Sequence, residues 1–425
     1  SRRLPQGEGG RESGRVREPG SLAGMPMQFS VLGTSFWQRS QDLVGWRAKG
    51  AADTPTKRIG CLPFGRGHAN LAPRGEAVPR LTQTLKQLDQ EFPNGGKDVA
   101  KESLRLKLSE DVHEQVQRIF ALIREYTGEG GSGRARRPGS TWEHEAEGEL
   151  LDVLAADIPV QLIEKLPLLE FEVRKDVMNM FCALLWTQMP QHVEQQVVDY
   201  LRNHPKSCGL LIDGYRNEEV ALHHGVVLRS CARHAQLAEA ILASGKVLDL
   251  IEYARQPSFD IASDAFDTLK CLLFEHKDFA ADWLIENSTE FFNRYSTLIE
   301  NCDNYMVERQ SLAWLGELLL NSSFKKVTLE YAGEYKHLKI HMNLLRSNSP
   351  AIQFEAFNVF KIFVANPNKT DPVHRILFNN KDKLVALLET LRPMRQEDQK
   401  FPLEQQKIIA KLRQLPKPSG ATPSV

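Results

Sequence analysis

The chain has 425 residues and a formal charge of zero, because Lys plus Arg and Asp plus Glu both number 54. A neutral chain lacks the general attraction to phosphate that drives nucleic-acid binding, and no run of about 18 apolar residues could span a bilayer. The six cysteines are scattered without the spacing of a disulfide framework or a zinc site. We therefore expect a soluble, reduced, cytoplasmic protein that binds neither nucleic acid nor membrane.

The N-terminal segment 1–78 is rich in Gly, Arg, Pro and Ser and has no lasting hydrophobic period. Such a segment cannot bury a core, so we predict a disordered or low-complexity extension. Its Arg and Ser content also suits an organelle transit peptide, but Glu8, Glu12 and Glu18 argue against one. The sequence leaves open whether the segment is a targeting signal.

A helical pattern begins near Val78 and opens a repeat domain predicted to cover 79–415. It is interrupted at 128–140 by the sequence GEGGSGRARRPGS, which we interpret as a flexible loop. The glycines resemble those of a phosphate-binding loop, but no Lys follows at the required place. The three arginines of the loop could bind an acidic partner, although a solvated linker is the simpler interpretation.

The stretch Ser349 to Thr370 is the most complete predicted helix of the chain. Ser349 can cap its start, Pro350 suits the first turn, and Pro367 cannot continue the helix. Between these ends, aromatic residues recur every three or four positions and form one apolar face. A second amphipathic pattern begins at about Tyr335, so we expect the two helices to pair as a hairpin.

The same pattern recurs with a small or β-branched residue at one fixed slot. The residues in that slot are 48, 40, 46 and 45 positions apart. They are Val177, Gly225 in a weaker copy, Ala265, Ser311 and Ala356. This spacing is close to the ~40–47 residues of armadillo and HEAT repeats. We predict an all-α fold, an α-solenoid of armadillo/HEAT-like helical repeats that forms a curved rod with a concave binding face; the alternative is an ordinary helical bundle.

The C-terminal part of the chain is predicted to close the stack of repeats. Its last helix would carry an apolar face made of Leu403, Ile408, Ile409 and Leu412. Such a face can cover the end of the final repeat. The residues 416–425 follow as a tail.

The sequence offers no local support for catalysis. Nucleophile and base pairs, paired carboxylates, Cys/His clusters and Walker-type loops are absent at the required spacing. His223 and His224 are adjacent and point in different directions on a helix, which favours a structural role over metal binding. His234 and His276 fall near helix ends, where a charged imidazole can favour the dipole. We predict no enzyme, no metal site and no cofactor; an enzyme with a dispersed site is the alternative.

Three residues suggest a peptide pocket near the C-terminal repeats. Lys339 and Met342 are three positions apart on a predicted helix, so a cation and a flexible apolar side chain share one face. Arg309 belongs to the preceding repeat and could reach the same groove. Together they would suit a peptide with an aromatic residue beside a carboxylate. The simpler alternative places Met342 in the core and Lys339 at the solvated surface.

Five segments of the chain carry a family resemblance. They are FEVRKDV at 171–177, SFDIASDAFDTLK at 258–270, NYMVERQSLAWLGELLL at 304–320, HMNLLR at 341–346 and IQFEAFNVFKIFVANPNKT at 352–370. With them the sequence resembles the calcium-binding protein 39 family, also called HymA-like, whose members are armadillo-type kinase scaffolds. The resemblance spans about Val78 to Leu415 and leaves out the N-terminal extension and the loop at 128–140.

The resemblance implies a non-catalytic adaptor that clasps a Ste20-like kinase or pseudokinase on its concave face and stabilises the active kinase conformation. It implies kinase contacts at Lys175 and Tyr305, and a pocket for a tail ending in a Trp-Glu-Phe-like motif at Arg309, Lys339 and Met342. Three further contact positions depart from the animal members. Where those have Lys, Arg and Phe, this chain has Ala313, Ser322 and Lys325, with Phe324 displaced by one.

A scaffold of this type adds no catalytic group and acts by binding one kinase conformation more tightly than another. The resemblance implies intracellular signal transduction, with cell polarity and morphogenesis as candidate processes, by a monomer that joins a hetero-complex. The family name implies calcium, but no Asp-rich loop has EF-hand spacing, so we predict no calcium site. The competing function is a helical-repeat adaptor for non-kinase cargo, such as a transport or ubiquitin-ligase module.

Overall fold

The computed structural model describes residues 75–93, 95, 98–128, 140–185, 189–300, 302, 304–392 and 400–418. Within these residues it contains nineteen α-helices and four short 3-10 turns, and no strand. Most of the predicted extension, the interior of the predicted loop at 128–140 and the end of the predicted tail lie outside the described residues.

The helices follow one another with mostly short connections. The first six are α1 (Ala77–Glu91), α2 (Glu102–Tyr126), α3 (Thr141–Ala155), α4 (Ile158–Lys165), α5 (Phe171–Leu184) and α6 (Gln191–Arg202). The next seven are α7 (Pro205–Asp213), α8 (Ala221–Ala232), α9 (Ala235–Ala243), α10 (Asp249–Tyr253), α11 (Phe259–Phe274), α12 (Lys277–Glu286) and α13 (Ser288–Ile299). The last six are α14 (Tyr305–Leu320), α15 (Lys325–Gly333), α16 (Tyr335–Leu344), α17 (Pro350–Ala365), α18 (Asp371–Thr390) and α19 (Lys400–Arg413).

The repeat unit contains three helices, of which the third packs on the third helix of the next repeat. These third helices, α2, α5, α8, α11, α14 and α17, form a row that we call the ladder, and α19 packs on its last member. Between α11 and α14 the contact is made by the rings of Phe266 and Trp314. The prediction of an α-solenoid is confirmed, and α16 and α17 pair as the predicted hairpin. Each repeat, however, contains one helix more than the predicted two-helix unit. The additional helix was not predicted, because α12 and α13 are separated only by Asn287, and α15 and α16 only by Glu334. A connection of one residue is too short to be distinguished from a polar position within a helix.

All five residues of the predicted small-residue slot lie on ladder helices and are buried. Gly225 on α8 shows why the slot must be small. A Cβ atom at this position would overlap the Asp264 carboxylate and the Tyr215 hydroxyl. Small residues at this position therefore allow successive ladder helices to approach closely.

The helix α17 begins and ends where the sequence predicts. The Ser349 hydroxyl accepts a hydrogen bond from the Ile352 N–H at 3.4 Å, and Pro350 is the first helical residue. The last helical residue is Ala365, two positions before Pro367. The side chains that fill the core from this helix include Phe357, Phe360 and Phe363, each fully buried.

The last helix, α19, differs from the prediction at one side chain. Ile408, Ile409 and Leu412 are buried, whereas Leu403 is 59% exposed. At 100° per residue, Leu403 lies about 140° around the helix from Ile408, so both cannot face the same neighbour. Phe401 takes its place and packs on Phe354 and Phe357, with ring centres 5.6 and 5.1 Å away.

Candidate partner-binding surface

The first two turns of α14 carry two predicted contact residues. The Asn304 side chain accepts hydrogen bonds from two N–H groups of the first turn, so the helix begins at Tyr305. Tyr305 and Arg309 are four residues apart and share one helical face. Tyr305 is 44% exposed, and its hydroxyl oxygen accepts a hydrogen bond from the Ser349 hydroxyl at 3.4 Å. This contact joins the starts of α14 and α17.

Arg309 is half-buried on α14, and its charge acts on Glu355 of α17. Burial raises the pKa of the Glu355 carboxyl, whereas the hydrogen bond from Asn358 and the charge of Arg309 act in the opposite direction. Among the described carboxylates, none lies within 4.0 Å of the Arg309 guanidinium. The guanidinium can therefore pair with a carboxylate of another molecule.

Lys339 and Met342 lie one turn apart on α16. The fully buried His341 fixes the rotation of this helix, because its Nε2 atom lies 2.8 Å from the Tyr331 hydroxyl. Lys339 is exposed, and its ammonium lies 4.9 Å from the centre of the Tyr335 ring. Met342 is half-buried against the core. The helix thus presents Lys339 to solvent and keeps Met342 at the edge of the core.

A cavity of about 440 Å³ lies between α13 and α16. Residues lining it include Phe292, Ser296, Glu300, Lys336, Lys339 and Ile340. Its volume falls in the range of pockets that hold small ligands or peptide side chains. Of the predicted trio, Lys339 lines this cavity, whereas Arg309 and Met342 do not. The helices α14 and α16, which carry the trio, both pack on α17.

Lys175 lies on α5, in the same row of ladder helices as Tyr305. Its ammonium pairs with the Glu172 carboxylate at 3.0 Å and lies 5.8 Å from the centre of the Phe171 ring. An ion pair within one exposed turn contributes little stability. Lys175 can therefore exchange Glu172 for a carboxylate of a partner at small cost.

Sequence reasoning missed a row of exposed large side chains at the starts of the ladder helices. Phe171 on α5, Leu222 on α8, Phe259 on α11 and Tyr305 on α14 are 60%, 39%, 49% and 44% exposed. Each is the first or second residue of its helix. Exposed apolar side chains in a row are typical of a surface that contacts another protein. For Phe171, Phe259 and Tyr305 the available signal was an aromatic residue directly after the helix cap, ahead of the periodic core face; Leu222, the second residue of α8, carries no such signal.

Of the three positions that the resemblance marks as departures, Ala313 lies within α14, whereas Ser322 and Lys325 lie just before and at the start of α15. Ser322 and Lys325 are exposed. Phe324 is fully buried, with its ring centre 5.5 Å from that of Phe274. The Phe324 ring therefore belongs to the core, and Lys325 presents a charge at the position where the resemblance implies Phe.

The described residues contain no group of three or more His, Cys, Asp or Glu side chains placed to hold a metal ion. In the same part of the chain, no helix is both long and apolar enough to cross a membrane. The described surface instead offers exposed helix starts and a cavity between α13 and α16. These are the features of a helical-repeat protein of the armadillo type, which binds partners through side chains on successive repeats.

Comparison with known protein families identifies the family to which the chain belongs. A family model described as Mo25-like matches residues 67–416, and the chain belongs to this family. The predicted resemblance to the calcium-binding protein 39 family is thereby confirmed, since relatives of that name are among the matches.

Relatives include proteins from animals, fungi, a plant and an alga. Calcium-binding protein 39-like of Homo sapiens is 40% identical over 266 residues, which cover 63% of this chain and 78% of the relative. Mo25-like protein of Schizosaccharomyces pombe is 39% identical over 282 residues, covering 65% and 84%. Conidiophore development protein hymA of Emericella nidulans is 30% identical over 291 residues, covering 62% and 76%. A designed armadillo repeat protein in complex with the peptide (KR)4 superposes on 67% of this chain and 99% of its own, with a TM-score of 0.37 and 12% identity.

Proposed function

We propose that this protein is a non-catalytic scaffold that binds a Ste20-like protein kinase or pseudokinase through the ladder helices and stabilises its active conformation. The observation that carries the proposal is the row of exposed side chains at the starts of α5, α8, α11 and α14. Lys175 and Tyr305, which the family resemblance marks as kinase contacts, lie on two helices of this row. Membership of the Mo25-like family supports the same function.

The scaffold acts through a difference in affinity. A tenfold preference for the active kinase conformation shifts the kinase equilibrium by about 1.4 kcal/mol, and equal affinity for both conformations shifts nothing. Large rigid side chains at the ends of packed helices suit this task, because little conformational freedom is lost when they contact a partner.

A kinase assay tests this proposal. The partner is a Ste20-like kinase from the source cell, and its activity is measured with and without the chain. We expect activation that falls at least about threefold when Phe259 and Tyr305 are both changed to Ala, since such anchors dominate interface energies. The matched control is Leu329→Ala, because Leu329 is 46% exposed on α15, outside the row. Equal activation by both variants would contradict the proposal.

A second contact of the scaffold is a pocket for a peptide that ends in a Trp-Glu-Phe-like motif. The cavity between α13 and α16 offers an apolar wall at Phe292 and Ile340 beside the ammonium of Lys339. Arg309 on α14 supplies a second cation. An aromatic ring and a carboxylate would find complementary groups there.

Fluorescence polarisation of a labelled Trp-Glu-Phe peptide tests the pocket. We expect Arg309→Ala combined with Met342→Ala to weaken binding at least about tenfold while the helical fold is kept. Lys339→Ala removes the side chain that belongs both to the predicted trio and to the cavity. Ser296→Trp tests the cavity separately, because Ser296 lines the cavity and is not part of the trio. Unchanged affinity in the double variant would remove Arg309 and Met342 from the pocket, and unchanged affinity in Ser296→Trp would remove the cavity.

A further inference from the structure

The cavity between α13 and α16 has walls of opposite polarity. One wall contains Ser296, in the last turn of α13, and Glu300, which directly follows this helix. The other wall contains Lys336, in the first turn of α16, and Lys339 one turn later. The C-terminal end of a helix carries a partial negative charge, and the N-terminal end carries a partial positive charge. Each wall therefore combines the end of a helix with side chains of the same sign.

The carboxylate of Glu300 has no partner among the described residues. Glu300 is half-buried, no described cation lies within 4.0 Å of its carboxylate, and no described donor forms a hydrogen bond with it. Burial raises the pKa of the Glu300 carboxyl, as expected of a carboxyl group without a cation beside it. Lys336 and Lys339 line the same cavity but do not pair with Glu300. A cation that enters the cavity would give this carboxylate a charge-assisted hydrogen bond.

The length of the cavity matches three residues of an extended peptide. Asn293, Ser296 and Glu300 are three and four positions apart, and all three line the cavity from one face of α13. The distance from Asn293 to Glu300 along the helix axis is about 10 Å. An extended chain advances about 3.3 Å per residue. A motif of three residues therefore fills this length, and the residue next to the motif lies at the end of the wall, where Glu300 stands.

We propose that the cavity binds a tail in which a Lys or Arg directly precedes the Trp-Glu-Phe-like motif. This cation pairs with Glu300 at the end of α13, whereas the carboxylates of the motif face Lys336 and Lys339 on α16. The arrangement also fixes the direction of the bound peptide, because a reversed peptide would place a carboxylate beside Glu300. The inference rests on the proposed tail pocket and adds to it the residue that must precede the motif.

Competition with the labelled Trp-Glu-Phe peptide tests this inference. Three unlabelled peptides carry Lys, Ser or Glu directly before the Trp and compete for the full chain at about 150 mM salt. We expect the Lys peptide to bind at least about threefold more tightly than the Ser peptide, and the Glu peptide at least about threefold more weakly. Glu300→Gln should remove these differences, because the carboxylate is lost while the side chain keeps its size. Glu300→Lys should reverse the order of the Lys and Glu peptides.

The matched control is Glu330→Gln. Glu330 is exposed on α15 and does not line the cavity. This variant should keep the order of the three peptides found for the unmodified chain, since a distant exposed charge is screened by salt. Melting temperatures of all variants report whether the fold is kept.

The possible failures of the inference and of the tail pocket differ. Equal affinities of the three peptides for the unmodified chain would overturn the inference and leave the tail pocket in place. An order of affinities that persists in Glu300→Gln, or that is lost equally in Glu330→Gln, would also overturn it, because the preference would not come from Glu300. If neither the labelled peptide nor any of the three competitors binds, the tail pocket itself is wrong and the inference is overturned with it.

Discussion

Individual buried atoms determine how closely the ladder helices approach each other. At the junction of α8 and α11, the Asp264 carboxylate accepts hydrogen bonds from the Tyr215 hydroxyl at 2.6 Å and from the Arg229 guanidinium at 2.7 Å. Gly225 lies against this group and has no room for a side chain. The hydrogen-bonded cluster can therefore occupy this place only because residue 225 has no Cβ atom.

The first prediction concerns this junction. Gly225→Ala should lower the free energy of unfolding by about 2 kcal/mol or more, because the new methyl group displaces the Asp264 carboxylate. Urea unfolding followed by circular dichroism measures the change. Gly148→Ala is the matched control, since Gly148 lies within α3 and an added Cβ would have no neighbour within 4 Å. We expect the control to be neutral or to gain up to about 1 kcal/mol. Equal losses in both variants would refute the close approach.

Buried imidazoles make stability depend on pH. Burial lowers the pKa of His341 to about 3 and those of His223 and His224 to about 4. In the unfolded chain these groups titrate near 6.5. Above that value neither state binds a proton, so the imidazoles do not affect stability there. Below it the unfolded chain is protonated first, and the free energy of unfolding falls as the pH drops toward 4.

The second prediction follows from these imidazoles. We expect the urea midpoint to be constant between about pH 7 and 8 and to fall below about pH 6. His341→Gln should show a shallower fall, because one titrating group is gone. His192→Gln is the control, since His192 is mostly exposed and pairs with Glu147 at the surface. A pH dependence identical in wild type and His341→Gln would exclude His341 as a source.

The sequence predicted part of this residue-scale chemistry. The adjacency of His223 and His224 was enough to favour a structural role, and helical spacing was enough to place Lys339 beside Met342. The cavity at Lys339 was not predictable, because its opposite wall comes from Phe292 and Ser296 on α13. Contacts between helices that are distant in sequence leave no local pattern.

At the scale of helices, buried arginines connect successive members of the ladder. Arg105 of α2 donates to the Leu168 carbonyl and to Glu170 at the start of α5. Arg174 of α5 donates in the same way to the carbonyl and carboxylate of Glu219, just before α8. Arg229 of α8 repeats the arrangement toward α11. The next junction is joined instead by aromatic packing of Phe266 on Trp314, with ring centres 5.7 Å apart.

The third prediction tests one of these connections. Arg174→Met should lower the free energy of unfolding by about 3 kcal/mol, since it removes four hydrogen bonds of a buried guanidinium. Hydrogen exchange should show faster opening of α5 and α8. Arg202→Met, an exposed arginine at the end of α6, should have little effect. Similar losses in the two variants would mean that the buried connection is not important for stability.

The ends of helices were predictable only where the sequence marks them. Ser349, Pro350 and Pro367 defined α17, and the structure agrees with all three. The predicted start at about Tyr335 agrees with α16, whereas the boundary at Asn287 was missed, because both neighbours of this residue are helical. The exposure of Leu403 was missed for a different reason, namely that apolar residues were grouped without regard to their rotation around α19.

At the scale of the whole molecule, two proposed surfaces can act together. The exposed helix starts of the ladder and the pocket near α16 both belong to the proposed kinase scaffold. Each repeat contacts mainly its neighbours, so a substitution on one surface should leave the others folded. This independence allows each proposal to be tested by its own variants.

The serial connection of the ladder has a consequence for recognition. Lys175 and Tyr305 are separated by three junctions, from α5 to α8, from α8 to α11 and from α11 to α14. A rigid partner that contacts both residues requires the correct angle at every junction at once, and an error at one is carried to all later helices. Buried residues such as Gly225 thus set the distance between Lys175 and Tyr305. If both residues contact one partner, natural selection would act on these buried residues as strongly as on the surface residues.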